Sequence, residues 1–131
     1  MQTNKVVRGV TPPESDCRAL ADILARIGDK WTVMLVGALS DGPVRYNALR
    51  RIIPGISQRM LTLSLKGLVQ DGLVTRTLYP TIPPRVDYEL TGLGHTLVGP
   101  LTILLDWVRT HRPAIDTARA VYRDANKDRP L

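Results

Sequence analysis

Apolar side chains recur every three or four residues along most of the chain, which is the spacing of amphipathic helices. The first predicted helix follows Ser15 or Asp16, either of which can cap it, and ends at Gly28. The second follows the cap Asp29 and ends at the Asp41-Gly42-Pro43 turn. One face of the first helix carries Leu20, Ile23, Leu24 and Ile27, and the second is predicted to turn Trp31, Met34, Leu35, Ala38 and Leu39 towards the core.

Two further helices are predicted on either side of a tight turn. The third runs from about Tyr46 to Ile53 and ends at Pro54-Gly55, because proline disfavours helix in the residue before it and glycine tolerates turn dihedrals. The fourth begins at the cap Ser57 and closes at Gly72. The predicted inward positions are Leu49, Ile52 and Ile53 on the third helix, and Leu61, Leu65 and Leu68 on the fourth with Met60 at the edge, whereas Arg50 and Arg51 point outward.

Period-two alternation replaces the helical spacing after Gly72. Two strands are predicted over residues 74–78 and 86–90, and the segment 79–85 that joins them contains three prolines. Because proline cannot donate a ladder hydrogen bond, this segment is predicted to be a rigid tip that projects from the hairpin. Two helices joined by a tight turn and followed by such a hairpin predict a winged helix-turn-helix, a mainly α fold with a small β-hairpin wing.

A long fifth helix is predicted from the cap Thr91 to Arg112, ended by Pro113. Its apolar positions exceed what one face of a small domain requires, which predicts a partner helix from a second subunit. A weaker terminal helix then carries Ile115, Ala118, Val121 and Tyr122 on one face. The predicted organisation is a flexible arm over residues 1–14, a winged domain over 15–112, and a helical extension with a tail over 113–131.

The positive charge of the chain is concentrated in its middle. The net charge is +6, and residues 42–86 carry seven basic side chains against one acid, while both flanks balance. A localised cationic excess indicates a surface that binds a polyanion, and here double-stranded DNA is the predicted partner. The alternative is a winged helix that serves as a protein-interaction module and meets an acidic partner with its basic face.

Composition excludes several other classes of protein. No apolar run reaches the roughly 18 to 20 residues that a membrane span needs, and the N-terminus lacks the apolar core of a secretion signal. A single Cys permits no internal disulfide. We therefore expect a cytoplasmic protein without membrane association. His95 and His111 have no ligand-spaced partners, and Cys17 with His95 as base lacks an orienting third group, so we expect no metal, no cofactor and no enzymatic activity.

A set of short motifs resembles the HxlR-type transcriptional regulators, relatives of the MarR proteins, over roughly residues 16–110. The motifs are Cys17, Gly28-Asp29-Lys30-Trp31-Thr32, Leu39-Ser40-Asp41-Gly42-Pro43, Arg45-Tyr46-Asn47-Ala48-Leu49, Pro54-Gly55-Ile56-Ser57, Asp71-Gly72-Leu73-Val74, Tyr79-Pro80, Pro83-Pro84-Arg85-Val86 and Tyr88-Glu89-Leu90-Thr91. The resemblance implies a bacterial or archaeal homodimer that pairs through its first and last helices. It also implies that the dimer binds an inverted-repeat operator, as a repressor or an activator; we expect a repressor.

The candidate DNA-binding residues lie at the start of the third helix, on the fourth helix and its cap, and on the wing. Arg59 and Thr62 are one turn apart, so both can reach base edges, and Arg59 either pairs with guanine or meets phosphate only. Leu63 either contacts a thymine methyl or belongs to the core. Many relatives carry Gln or Arg at the positions of Leu63 and Ser64, so base contacts do not transfer there. The remaining candidates are Arg45, Tyr46, Ser57, Gln58, Lys66, Arg76 and Arg85, mainly as phosphate contacts.

Two further sites are candidates for sensing a signal. Cys17 lies in the first turn of a helix beside Arg18, where the helix dipole favours a reactive thiolate, although Asp16 acts in the opposite direction. The resemblance implies that a Cys near this position senses oxidants or electrophiles in some members; the alternative is an inert Cys. Trp31 and Trp107 are either core or dimer aromatics, or the walls of a pocket for a small aromatic effector.

Overall fold

The computed structural model describes residues 14–127 of the chain, and the side chains of residues 16–127. Within that range the chain forms five helices and three strands, which confirms a mainly α fold with a small β-sheet. In chain order they are α1 (Glu14–Ile27), α2 (Lys30–Leu39), β1 (Val44–Arg45), α3 (Tyr46–Ile52), α4 (Gln58–Gln70), β2 (Val74–Tyr79), β3 (Arg85–Leu90) and α5 (Gly92–Asn126). The predicted arm, apart from residue 14, and the tail from residue 128 lie outside the described residues.

Helix α1 begins earlier than its predicted caps. It starts at Glu14, so Ser15 and Asp16 belong to its first turn and neither is the N-cap. Acidic residues are favourable both at the cap and in the first turn, because both positions lie near the positive end of the helix dipole. The sequence therefore locates such a boundary only to within one or two residues. The predicted apolar face is present, and its members Leu20, Ile23 and Leu24 are exposed in the single chain.

Helix α2 begins at its predicted cap but turns a different face to the core. The Asp29 carboxylate accepts hydrogen bonds from the backbone N–H groups of residues 31 and 32. The prediction that Met34 is buried is wrong, because Met34 is exposed, and Trp31 is half-buried. The helix is apolar on almost every side, so packing selects the inward face, which consists of Thr32, Leu35, Val36 and Leu39.

The core between α3 and α4 is built mainly from leucine. Leu49 on α3 and the predicted stripe of Leu61, Leu65 and Leu68 on α4 are almost fully buried. Each such side chain contributes about 1.5 to 3 kcal/mol relative to an exposed one. The prediction for Ile52 is wrong, since Ile52 is exposed. The prediction for Ile53 is confirmed: the backbone leaves the helix there with φ −97° and ψ 108°, and the Ile53 side chain is buried.

Gly72 closes α4 as predicted, through a Schellman motif. Its φ of 75° lies in the left-handed region that glycine adopts readily. The N–H of Gly72 donates to the carbonyl of Val69, and the N–H of Leu73 donates to the carbonyl of Leu68. These bonds satisfy carbonyls at the helix end and direct the chain straight into β2, so the position of the wing follows from the end of α4.

The sheet has one more strand than the sequence predicted. Its order is β1-β3-β2, all antiparallel, and the added strand is the two-residue β1 that pairs Val44 with Tyr88 and Arg45 with Asp87. A strand of two residues carries no detectable alternation, which is why the pattern missed it. The hairpin strands also extend one residue further than predicted, to a pair between Tyr79 and Arg85. The three prolines lie outside the strands, as expected.

Helix α5 starts at the predicted cap but does not stop where predicted. The hydroxyl of Thr91 donates to the Gly72 carbonyl at 2.7 Å and accepts from the Gly94 N–H at 3.0 Å. The helix then runs through both Pro100 and Pro113, so the predicted break at Pro113 is wrong. A proline removes one hydrogen bond and crowds the carbonyl four residues before it, but its φ suits a helix, so neighbouring bonds can carry the helix past it.

The described chain divides within α5, between His95 and Thr96, into two compact units. The first contains α1 to α4 and the sheet, and the second is the remaining helix, where Ile103, Leu104 and Trp107 are exposed. The predicted domain boundary after residue 112 lies within α5, so it does not coincide with a helix end. In the described part of the chain, no helix is both long enough and apolar enough to span a membrane.

Candidate nucleic-acid interface

The N-terminus of α4 is presented by a tight turn and a side-chain cap. Gly55 has φ 77°, a conformation that side chains other than glycine rarely adopt, and Ser57 Oγ accepts the N–H of Met60 at 3.0 Å. The cap contributes about 1 kcal/mol to the helix. The candidate residues Gln58, Arg59, Thr62, Leu63 and Lys66 are all exposed on α4. Leu63 is 48% exposed, which decides against a core position, whereas Ser64 is buried.

Tyr46 connects the two helices of the helix-turn-helix. Its hydroxyl donates to the Gln58 carbonyl at 3.3 Å and lies 2.8 Å from Thr62 Oγ1. A phenol has a single hydrogen to donate. When the Tyr46 hydroxyl donates it to the Gln58 carbonyl, the Thr62 hydroxyl must donate to the Tyr46 oxygen. Thr62 then keeps acceptor capacity towards solvent. Two of the predicted contact residues are therefore also parts of the scaffold.

The wing holds its terminal arginine in place from two sides. The guanidinium carbon of Arg85 lies 4.4 Å from the ring centre of Tyr79, and its Nε is 3.2 Å from Asp87 Oδ1. Neither of those two atoms has an aligned hydrogen-bond partner in the described structure, so the pair is held by charge alone. The Arg85 side chain remains 40% exposed. Its position is restrained while part of it stays open to an external anion.

A cleft of about 740 Å³ opens between the wing and the start of α3 and α4. Six of the ten candidate residues line it, and these are Arg45, Tyr46, Gln58, Thr62, Arg76 and Arg85. Arg76 pairs with Tyr88 across the hairpin, so it lies on the sheet face that also carries the buried Val74 and Leu90. The other candidates do not line the cleft; Arg59 and Leu63 lie beside it on the outer surface of α4, next to Gln58 and Thr62.

Almost all of the cations in this segment are available to an external partner. Among the described residues, only Arg85 of the seven basic side chains in residues 42–86 forms an ion pair. The one acid of the segment, Asp71, is itself paired with Arg26 of α1 at 2.7 Å. An anion that meets this surface therefore competes with a single internal carboxylate, that of Asp87.

Three features of the wing and its base were not predicted from the sequence. Asp87 is the acid that restrains Arg85. The sequence signal for this pair was its spacing, because residues two apart on a strand lie on the same face. Tyr79 was assigned to the tip, and its pairing with Arg85 puts its ring beneath the guanidinium instead. Ile82 is fully exposed at the tip between prolines, which no periodic pattern announces.

None of the candidate sensing residues is among those that line the cleft. Cys17 is exposed in the first turn of α1, where it was predicted. Trp31 is half-buried on α2 with the Lys30 ammonium 4.5 Å from its ring centre. Trp107, in the second compact unit, is exposed and stacks on His111 at 4.6 Å. The described residues contain no group of three or more His, Cys, Asp or Glu side chains placed to hold a metal ion.

Comparison with known proteins identifies relatives over most of the chain. The sequence model described as HxlR-like helix-turn-helix matches residues 26–116. The chain is 38% identical over 98 residues to the uncharacterized HTH-type transcriptional regulator YtfH of Escherichia coli (strain K12), which covers 75% of this chain and 78% of that protein. Both matches span the helix-turn-helix, the wing and the start of α5.

Solved structures share this fold at similar identity. The putative transcriptional regulator ytfH from Salmonella typhimurium superimposes with a TM-score of 0.71 at 37% identity, over 76% of this chain and 89% of that one. The redox regulator HypR in its reduced form gives 0.69 at 39% identity, over 76% and 98%. Other neighbours are named as regulators of the MarR family. The chain therefore belongs to the HxlR-like helix-turn-helix family and is a DNA-binding transcriptional regulator.

Proposed function

We propose that two copies of this chain form a homodimer that binds an inverted-repeat operator and represses transcription. The observation that carries the proposal is the cleft between the wing and α4, in which Arg45, Arg76 and Arg85 converge beside the exposed start of a capped helix. A helix N-terminus with flanking cations suits a groove edge bounded by phosphates, since its dipole and its N–H groups favour anions.

The proposed roles divide between base edges and backbone. Arg59 and Thr62 face the major groove, Arg59 as a bidentate partner of guanine, and Leu63 contacts a thymine methyl. The Leu63 side chain is exposed, which supports this role. The other candidates bind phosphate or position the helix, and these are Arg45, Tyr46, Ser57, Gln58, Lys66, Arg76 and Arg85.

Exposed apolar faces support the proposed dimer. On α1 these are Leu20, Ile23 and Leu24, and on α5 they include Ile103 and Trp107. Contiguous apolar positions of this kind are costly to leave in water and commonly mark a protein interface. A two-fold dimer presents two recognition helices, so its operator is an inverted repeat with half-sites about one helical turn, roughly 10 base pairs, apart.

We further propose that an oxidant, an electrophile or a small aromatic compound controls the regulator. Cys17 is the proposed redox sensor, supported by its exposure in the first turn of α1 and by the relative named as a redox regulator. Trp31 and Trp107 are the proposed contacts of an aromatic effector. The regulator is proposed to work in the cytoplasm, where it meets its operator.

Footprinting on the DNA that flanks the coding region tests this proposal, with light scattering to give the mass of the free protein. We expect a dimer and two protected half-sites related by a two-fold axis. Leu24→Glu on the apolar face of α1 is expected to yield a monomer with a weakened footprint. Arg18→Glu, on the opposite face of the same helix, is the control and is expected to leave the mass unchanged. A monomer that protects a single half-site contradicts the proposal.

The redox role of Cys17 is tested separately by repeating the footprint with a thiol oxidant. We expect the oxidant to change operator occupancy for the wild-type chain and to leave Cys17→Ser unaffected, because this chain has no other cysteine. An equal response of both proteins removes Cys17 from the mechanism and leaves operator binding intact.

A further inference from the structure

A second cavity, of about 710 Å³, opens between α1 and α4 beside the N-terminus of α2. Its volume falls in the range of about 300 to 1,000 Å³ that is typical of small-molecule sites. Side chains from all three helices line it, and its lining shares no residue with the cleft between the wing and α4. It is therefore separate from the proposed phosphate contacts.

The hydroxyl groups of two largely buried residues open into this cavity without a hydrogen-bond partner. Thr32 is 2% exposed and Ser64 is 7% exposed, and both contribute to the lining. Within the described residues, no hydrogen bond involves either hydroxyl, although each lies in a regular helix. Neither hydroxyl oxygen is fully buried, so both are accessible from the cavity and can bond to a molecule held there.

The charge of the cavity is opposite to that of the protein. Three carboxylates, those of Asp22, Asp29 and Asp71, line it together with a single guanidinium, that of Arg26. Arg26 is already bound to Asp71, and Asp29 accepts two backbone N–H groups of α2. Asp22 has no ion-pair or hydrogen-bond partner in the described part of the chain. The unbalanced charge is therefore negative, and it disfavours an anionic ligand.

The rest of the lining is apolar and adaptable. Met60 and Leu63 approach from α4, and Ile23 approaches from α1. Methionine is unbranched and polarizable, so it accommodates ligands of irregular shape. An apolar body beside a carboxylate and two free hydroxyls matches an amphipathic molecule with one positive end.

We propose that this cavity binds a small organic cation, with its ammonium group at Asp22, its polar substituents at Thr32 and Ser64, and its apolar body against Met60. Met60 belongs to the recognition helix, so the bound molecule rests on the side of α4 that faces α1. Binding requires no DNA, and neither Trp31 nor Trp107 lines the cavity.

Isothermal titration calorimetry on the full chain without DNA tests the proposal, with 2-phenylethylammonium as the probe. Its neutral analogue 2-phenylethanol and its anionic analogue 3-phenylpropionate serve as ligand controls. We expect the cation to bind at one site per chain and at least about tenfold more tightly than either control, because one charge-assisted contact corresponds to about that factor. Equal binding of the anion, or no binding of the cation, overturns the proposal.

Two variants locate the bound probe. Asp22→Asn is expected to weaken binding by about tenfold and Ser64→Ala by about threefold, since they remove a charged and a neutral partner respectively. Asp124→Asn, an exposed carboxylate of α5, is the matched control and is expected to bind like wild type. Unchanged affinity in Asp22→Asn overturns the assignment. Circular dichroism of each variant verifies that the fold is retained.

Discussion

The hydroxyl oxygens of Tyr46 and Thr62 lie 2.8 Å apart, joining the first residue of α3 to the second turn of α4. The same phenol donates to the Gln58 carbonyl at 3.3 Å. Both bonds fix the angle at which α4 leaves the turn, and the first also fixes the rotamer of Thr62. Helix α4, which we propose enters the groove, is therefore oriented before DNA arrives, and this reduces the entropy that binding must overcome.

Tyr46→Phe removes both of these hydrogen bonds and keeps the ring. We expect a loss of about 1 kcal/mol in the free energy of unfolding, because each bond of this kind contributes roughly 0.5 to 1.5 kcal/mol and its partners can be hydrated at the surface. Operator affinity is expected to fall about three- to tenfold. Urea unfolding and fluorescence anisotropy measure the two effects. Tyr122→Phe on α5 is the control, and equal behaviour of the two variants contradicts the orienting role.

Ser57 caps α4 and is proposed to contact a phosphate, and two substitutions separate these roles. Ser57→Ala removes the cap and is expected to cost about 1 kcal/mol of stability. Ser57→Asp can still cap α4, so thermal unfolding is expected near that of wild type, but its charge repels phosphate and operator binding is expected to fall by more than tenfold. Full operator affinity in Ser57→Asp rules out a nearby phosphate.

Arg59 is the proposed reader of a base, so its removal changes specificity as well as affinity. Arg59→Ala is expected to cost about 1 to 3 kcal/mol on the operator and to relax the preference at one position of each half-site. Selection of binding sites from a randomised duplex pool measures that preference. Arg119→Ala, an exposed arginine of α5, is the control. An equal loss on every sequence leaves Arg59 with a phosphate contact only.

Gly67 and Arg26 are coupled through space. A Cβ on Gly67 would meet the guanidinium of Arg26, which lies across α4 on its way to Asp71. In an Arg26→Ala background, Gly67→Ala is expected to stabilise the protein by about 0.5 to 1 kcal/mol, through the helix propensity of alanine. In wild type we expect a smaller gain, because the methyl displaces an ion pair worth up to about 1 kcal/mol. Equal gains in urea unfolding contradict this coupling.

Local signals in the sequence were sufficient where a residue acts through its own backbone. Asp29, Ser57 and Thr91 each cap the helix that they were predicted to cap, and Gly55 and Gly72 occupy the left-handed conformations that their turns require. These features depend on a few neighbouring residues, so the pattern contains all the information needed to recognise them.

The features that were mispredicted depend on contacts distant in sequence. Met34 lies on a helix that is apolar all round, so only packing against other elements selects its inward face. The short strand at Val44 exists because β3 lies beside it, and not because of its own composition. The cavity between α1 and α4 was equally invisible, because Thr32 and Ser64 meet there from different helices.

The central claim is that four cations of residues 42–86, Arg45, Lys66, Arg76 and Arg85, contact DNA phosphate, and the salt dependence of operator affinity tests it most directly. Each contact adds about −0.9 to the slope of log K against log salt concentration, so four contacts give at most about −3.6 per subunit. For wild type we expect a steep slope within this limit, and for Arg85→Ala a slope shallower by about one unit per subunit, with unchanged sequence preference. Arg119→Ala is expected to match wild type. A slope near zero, or one that Arg85→Ala leaves unchanged, contradicts the claim.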